Sequence, residues 1–199
     1  VERDWLGDGE RVANNLVFGA DGQAYLSKAL NLESAWFGSV ASDLNDQELS
    51  GYAGQTRVSW KTEDYRVFLY QQSVSDEFRS EAGFLTRHGF HRLMAKTDLY
   101  FNADHPWARE VSPGIWADYY LDENGQVVDE ILAANSFWRF GERLFFFAKY
   151  ERYGERLDDG EWLGGGDVFG LWFGSQTWQR VQFDFGAQIG QVIIRDEEL

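Results

Sequence analysis

Residues 180–190 read RVQFDFGAQIG, and in that stretch Val181, Phe183, Phe185, Ala187 and Ile189 alternate without interruption with Arg180, Gln182, Asp184, Gly186, Gln188 and Gly190. A period of two belongs to a β-strand, because successive Cβ atoms leave opposite sides of the backbone, so one face is apolar and the other wet. The pattern recurs upstream. Tyr52, Gly54, Thr56, Val58 and Trp60 oppose Gly51, Ala53, Gln55, Arg57, Ser59 and Lys61, and His91, Leu93, Ala95, Thr97, Leu99 and Phe101 oppose Phe90, Arg92, Met94, Lys96, Asp98 and Tyr100. Long two-faced strands in series predict a barrel.

Turn chemistry separates these runs at Ala20-Asp21-Gly22-Gln23, Asp43-Leu44-Asn45-Asp46, Thr62-Glu63-Asp64, Asn102 to Pro106, Asp122-Glu123-Asn124-Gly125, Phe140-Gly141-Glu142 and Asp158-Asp159-Gly160. The strands expected between them cover 11–20, 24–38, 50–61, 65–74, 89–101, 108–121, 126–139, 143–153, 167–174 and 180–194. Most exceed the ordinary strand length of about 5–6 residues and meet the roughly 9–11 that a tilted strand needs to cross a bilayer. Pro113-Gly114 predicts a bulge or a split strand, since proline removes a ladder donor. Residues 128–136 also have helix-forming composition, and the glycine triplet Gly164-Gly165-Gly166 is expected to free a long loop over 154–166.

Composition narrows the classes. The 199 residues form one expected domain and contain no cysteine, which removes disulfides, thiolate metal sites and cysteine nucleophiles. A net charge of −15 leaves no basic surplus for a nucleic-acid backbone. Aromatic residues make up 17%, with nine Trp against only two Pro, a bias that interfacial girdles and proline-poor strands produce. Spanning strands hide their apolar half in alternation, so the mean hydropathy of −0.45 is compatible with a membrane protein although no apolar run of helix length exists.

The polar faces carry both signs of charge. Arg57, Lys61, Arg66, Arg92, Lys96, Lys149 and Arg180 stand with Asp98, Asp118, Glu151 and Asp184. An Arg or Lys facing lipid at mid-membrane costs about 2–4 kcal/mol, so these residues are lumen-facing candidates. Trp60, Tyr65, Tyr100, Trp107, Tyr119 and Trp138, near strand ends, are the expected interfacial residues. Chemistry-bearing motifs are lacking. His88 and His91 are three apart in or beside a strand and face opposite sides, the acidic turns lack the ligand spacing of a calcium loop, the glycine triplet opens no phosphate-binding helix, and no nucleophile elbow occurs. Neither a metal nor a cofactor is expected, and no catalytic residue is assigned.

Residues 78–87, FRSEAGFLTR, are not explained by alternation, and they fit a structured inward loop or a bulged strand. Here the chain resembles a bacterial family of unknown function in which a module like the family-nine carbohydrate-binding domains precedes an outer-membrane-like β-barrel. That family has a Phe-x-x-Glu-x-Gly-Phe-x-x-Arg stretch matched by Phe78, Glu81, Gly83, Phe84 and Arg87, and residues 151–157 and 166–169 are compatible with it. The N-terminal module is absent, and IIRDEEL replaces the terminal aromatic usual in such barrels. Both departures predict an internal part of a longer barrel protein.

The reading is an all-β antiparallel transmembrane β-barrel, or a contiguous section of a larger one, of about ten long strands over residues 1–199. It implies the outer membrane of a Gram-negative bacterium, contact with lipid, passage or docking of a saccharide or peptide solute, and no enzymatic activity. A partner chain or sequence outside these residues would complete the barrel. The alternatives are a soluble, secreted β-sandwich or barrel that binds carbohydrate and, behind it, a glycoside hydrolase.

Overall fold

The computed structural model describes residues 12–43, 48–79, 88–102, 109–141, 143–156, 160–178 and 181–191. They form eleven strands in one antiparallel sheet, with no helix among them: β1 (Val12–Tyr25), β2 (Leu30–Asp43), β3 (Glu48–Lys61), β4 (Tyr65–Val74), β5 (Phe90–Leu99), β6 (Phe101–Asn102), β7 (Glu110–Asp122), β8 (Val127–Phe140), β9 (Leu144–Arg156), β10 (Trp162–Trp178) and β11 (Val181–Gly190). Each long strand pairs with the next in sequence, and β6 extends the β5 side of the ladder on β7. The fold class is therefore the expected one: an all-β antiparallel meander of long strands, open between β1 and β11 among the described residues, as a barrel section is.

The expected turn at residues 20–23 lies inside β1. Asp21 and Gly22 pair with Ala35 and Ser34 of β2, and the chain reverses at residues 26–29 instead. The Ser27 hydroxyl accepts hydrogen bonds from the amides of Ala29 (3.1 Å) and Leu30 (3.0 Å), a serine-centred turn that outweighs the local Asp-Gly signal once β2 supplies partners for the whole of β1. The expected loop over 154–166 is likewise mostly strand. Gly165, at φ 92°, makes a bulge between Gly164 and Gly166 within β10, because only glycine adopts that conformation without strain. Residues 128–136 are strand β8, not helix.

Proline acts across the ladder. β7 itself runs unbroken through Pro113, while its neighbour splits: Asp98 pairs with Gly114 and Phe101 with Val111 in one continuous register, yet Leu99 and Tyr100 between them make no ladder pairs with β7. The missing N–H of Pro113 cannot hold that stretch of the partner strand. Tyr100 turns its own amide to the Asp64 carbonyl at 2.7 Å.

The strands slope across the sheet. Starting at Tyr25, the last residue of β1, partners run through Asn31, Ser59, Phe68, Lys96, Trp116, Ala133, Glu151 and Val168 to Gly190, the last residue of β11, at the opposite rim. A climb of about ten residues at ~3.3 Å, over nine inter-strand gaps of ~4.8 Å, gives a tilt of roughly 35–40°, within the range that closed sheets require.

The two faces are inverted relative to a water-soluble sheet. One carries Phe18, Trp36, Leu69, Leu93, Ile115, Leu132, Leu171, Phe173 and Phe185, all exposed, with Ile115 at 61% and Phe185 at 68%. The opposite face holds most of the charges and is the more enclosed, with Asp118 at 2% exposure and Glu151 at 5%, while Glu130, Arg152 and Asp167 lie on the apolar side toward one rim. In a single layer such a difference requires the sheet to curl toward its polar side.

Candidate functional site

Register places the charged residues of the polar face against one another. Arg66 stands directly opposite Asp98, and its Nε and Nη2 donate to Oδ2 at 3.0 and 2.6 Å, with Lys96 Nζ 3.6 Å from the other oxygen. Arg57 stands opposite Glu33, with Nη1 3.2 Å from Oε2, while Asn31 and Gln23 donate to Oε1. Arg139 stands opposite Glu110 at 3.4 Å. One step along the diagonal, Arg92 grips Asp118 with two parallel bonds, Nε to Oδ1 at 2.9 Å and Nη2 to Oδ2 at 2.6 Å. That fork geometry is the strongest form of carboxylate pairing. Within β9, Lys149 Nζ lies 2.7 Å from Glu151 Oε2, which also accepts the Tyr153 hydroxyl at 2.6 Å.

Aromatic rings cover these pairs. The Arg92 guanidinium lies 5.6 Å from the Tyr70 ring and 5.1 Å from Tyr120, Lys149 lies 5.5 Å from Trp172, Arg139 5.8 Å from Phe137 and Arg57 5.6 Å from Phe68. The ring faces are engaged by cations. The result is a polar wall braced from strand to strand.

At one rim, called here the Phe78 rim, the chain leaving β4 turns onto this wall. Phe78, 3% exposed, packs with Ala53, Val74 and Phe90, and Tyr120 lies against the cluster. The Arg79 amide donates to Ser39 Oγ on β2 at 3.0 Å, and the Arg79 carbonyl accepts Asn15 Nδ2 of β1 at 3.2 Å. Residues 75–79 thus cross β3 and β2 and reach β1. Gly51 is what permits the crossing, because a Cβ there would sit 2.2 Å from the Phe78 nitrogen. Nearby, His88 has a buried Nδ1 with no hydrogen-bond partner, and burial, followed by the charge of Arg79, holds its pKa below the usual histidine value against a smaller opposing effect of Asp76.

Of the residues singled out from sequence, Arg57, Lys61, Arg66, Arg92, Lys96, Asp98, Asp118 and Asp184 share the polar face, as do Lys149 and Glu151. Arg180, Glu81, Gly83, Phe84 and Arg87 lie outside the described residues, as does Trp107. The inward course expected of the Phe78 segment holds for residues 78 and 79. Trp60 and Tyr65 meet edge to face at 5.5 Å on the apolar side of the opposite rim, where Trp138 stacks on Phe140 at 6.4 Å. Tyr100 differs, since it interacts electrostatically with Arg66 on the polar side. Sequence reasoning gave no sign of Ser39, Asn15 and Tyr120, whose roles arise only where the inward segment lands.

The apolar side carries a shallow groove floored by Ala95, Ala117 and Ala134 and walled by Leu69, Ile115 and Leu132. Among the described residues, no group of three or more histidines and carboxylates is arranged to hold a metal ion. Comparison with family models, with curated proteins and with solved structures finds no match for this chain.

Proposed function

We propose that this chain forms part of the wall of an outer-membrane β-barrel in a Gram-negative bacterium, with its apolar face against lipid and its charged face lining an interior for passage or docking of a solute. Its role is non-enzymatic, and the candidate solutes are saccharides and peptides. The observation that carries the reading is the inversion of the two faces: large apolar side chains exposed over most of the outer surface, with Glu130, Arg152 and Asp167 toward the Phe78 rim as charged exceptions, and the Asp98, Asp118 and Glu151 carboxylates enclosed on the other. Water offers no reason to expose that surface, and a contiguous apolar area of such extent marks a partner or a membrane. The strand lengths, the tilt and the aromatic residues at the Trp60 rim agree with a bilayer-spanning wall. The soluble sandwich fits less well, because the described residues provide no second sheet to cover the apolar face.

The free edges of β1 and β11 enter the same proposal. Unpaired backbone groups cost several kcal/mol each in hydrocarbon, so further strands, from a partner chain or from sequence outside these residues, complete the ring. The resemblance to the barrel family of the Phe-x-x-Glu-x-Gly-Phe-x-x-Arg stretch points the same way.

The cysteine-free chain makes the test direct. Single cysteines at Asp184 and Gln188 in outer-membrane preparations are expected to react with a charged, membrane-impermeant maleimide, and cysteines at Phe183, Phe185 and Ile189 to be protected. Equal labelling of both sets, or a protein recovered in the soluble fraction without detergent, refutes the membrane wall.

A further inference from the structure

We propose that residues 75–79 act as a fixed strap that narrows the passage at the Phe78 rim and sets the size of solute admitted there. The inference rests on the barrel reading of the preceding subsection and goes beyond it by assigning a selectivity element to named residues. Three observations carry it. First, the strap lies on the polar face, not along a strand edge: Phe78 is seated among Ala53, Val74 and Phe90 with Tyr120 alongside, which places it over β3, β4, β5 and β7. Second, its far end is tied down by two hydrogen bonds to different strands, Ser39 of β2 and Asn15 of β1. Together these contacts touch six neighbouring strands at the Phe78 rim. Third, the wall is shaped to receive it, because β3 presents Gly51 where any side chain would collide with the Phe78 backbone.

A segment meant only to connect β4 to β5 needs none of this. The Ser75 amide already donates to the Tyr52 carbonyl at 2.9 Å, extending the β4 ladder to the rim, and a short turn like that at residues 123–126 would return the chain. The strap instead buries an aromatic anchor and engages two polar side chains of the wall, one of them the almost fully enclosed Ser39. Those contacts hold it across the opening and not beside it. It carries the exposed side chains of Asp76 and Glu77 and narrows the passage by its bulk.

The test uses the barrel as it is extracted from outer membranes, with the strands that complete the ring, reconstituted into phosphatidylcholine planar bilayers and compared with Gly51→Ala and with the double variant Asn15→Ala/Ser39→Ala. Gly51→Ala displaces the strap by steric contact without touching a ladder hydrogen bond, and the double variant releases its far end. Insertion is read first by flotation with phosphatidylcholine vesicles. Because the strap lies on the polar face at this rim, its release is expected to raise single-channel conductance and to admit larger polyethylene glycols. Inserted variants whose conductance and polymer cut-off equal those of the unmodified chain overturn the strap. Recovery of every form, including the unmodified protein, in the soluble fraction without detergent overturns the barrel reading itself, and the strap with it.

Discussion

Replacing Ile115 by arginine separates a lipid-facing sheet from a water-facing one by energy alone. Ile115 lies near the middle of β7, on the apolar side, and is 61% exposed. If water covers that face, the substitution is a surface change at a residue with little to lose, and the stability is expected to move by no more than about 0.5 kcal/mol. If hydrocarbon covers it, the guanidinium sits at mid-membrane and the cost is about 2–4 kcal/mol, a factor of roughly 30 to 900 in the folding equilibrium. Leu99 supplies the internal control. It is on the same face, also exposed, but ends β5 at the Trp60 rim, where an arginine reaches the headgroups and costs only about 0–1 kcal/mol. Reversible guanidinium titration of the completed barrel in phospholipid vesicles, followed by tryptophan emission, measures both. The expected result is a midpoint clearly lowered for Ile115→Arg and little changed for Leu99→Arg. Equal and small effects at the two depths would refute the lipid-facing assignment, whatever the labelling pattern of β11.

Two further outcomes are expected. Asp118→Asn leaves the Arg92 guanidinium clamped between Tyr70 and Tyr120 without its carboxylate. Because Asp118 is buried and Arg92 partly exposed, the loss should be about 2–4 kcal/mol, below that of a fully buried pair. A double-mutant cycle with Arg92→Met should show coupling above about 1 kcal/mol, and additivity of the two changes would remove the pair from the account of the wall. Acidification should loosen the strap through His88, whose folded-state pKa lies below its unfolded value of 6.5 because burial and Arg79 disfavour the cation. Its contribution is therefore intact above pH 6.5 and is lost as the pH falls from there through the lower folded-state pKa. Hydrogen exchange at the Phe78 and Arg79 amides, corrected for intrinsic rate, should quicken over that interval in the unmodified chain and not in His88→Gln. An unchanged profile in that variant would assign the effect to another group.

Alternation determined which side chains share a face, and it did so locally: in a strand, parity along the chain is enough to put Arg92, Lys96 and Asp98 on one side and Leu93, Ala95 and Leu99 on the other. Turn chemistry located β4 to the residue and most other strands to within a few. It failed where a distant partner outweighed a local preference. Asp21-Gly22 has the composition of a turn, but β2 offers a full ladder to residues on both sides of it, and the glycine triplet at 164–166 became a bulge because β9 and β10 continue to pair around it. Pro113 predicted a break in its own strand, but β7 runs through it and the break fell in the facing strand, since the hydrogen bond that proline lacks belongs to two strands at once. Which cation meets which carboxylate was beyond the sequence altogether. Arg92 and Asp118 are 26 residues apart and come together through the register of β5 on β7, just as Phe78 and Arg79 meet Gly51, Ser39 and Asn15 only because the chain turns across the polar face. Period and sign of charge are properties of neighbouring residues, so the sequence by itself determined the two-faced strands; register, tilt and the course of the strap depend on pairing between distant segments, and only the tertiary structure decided those.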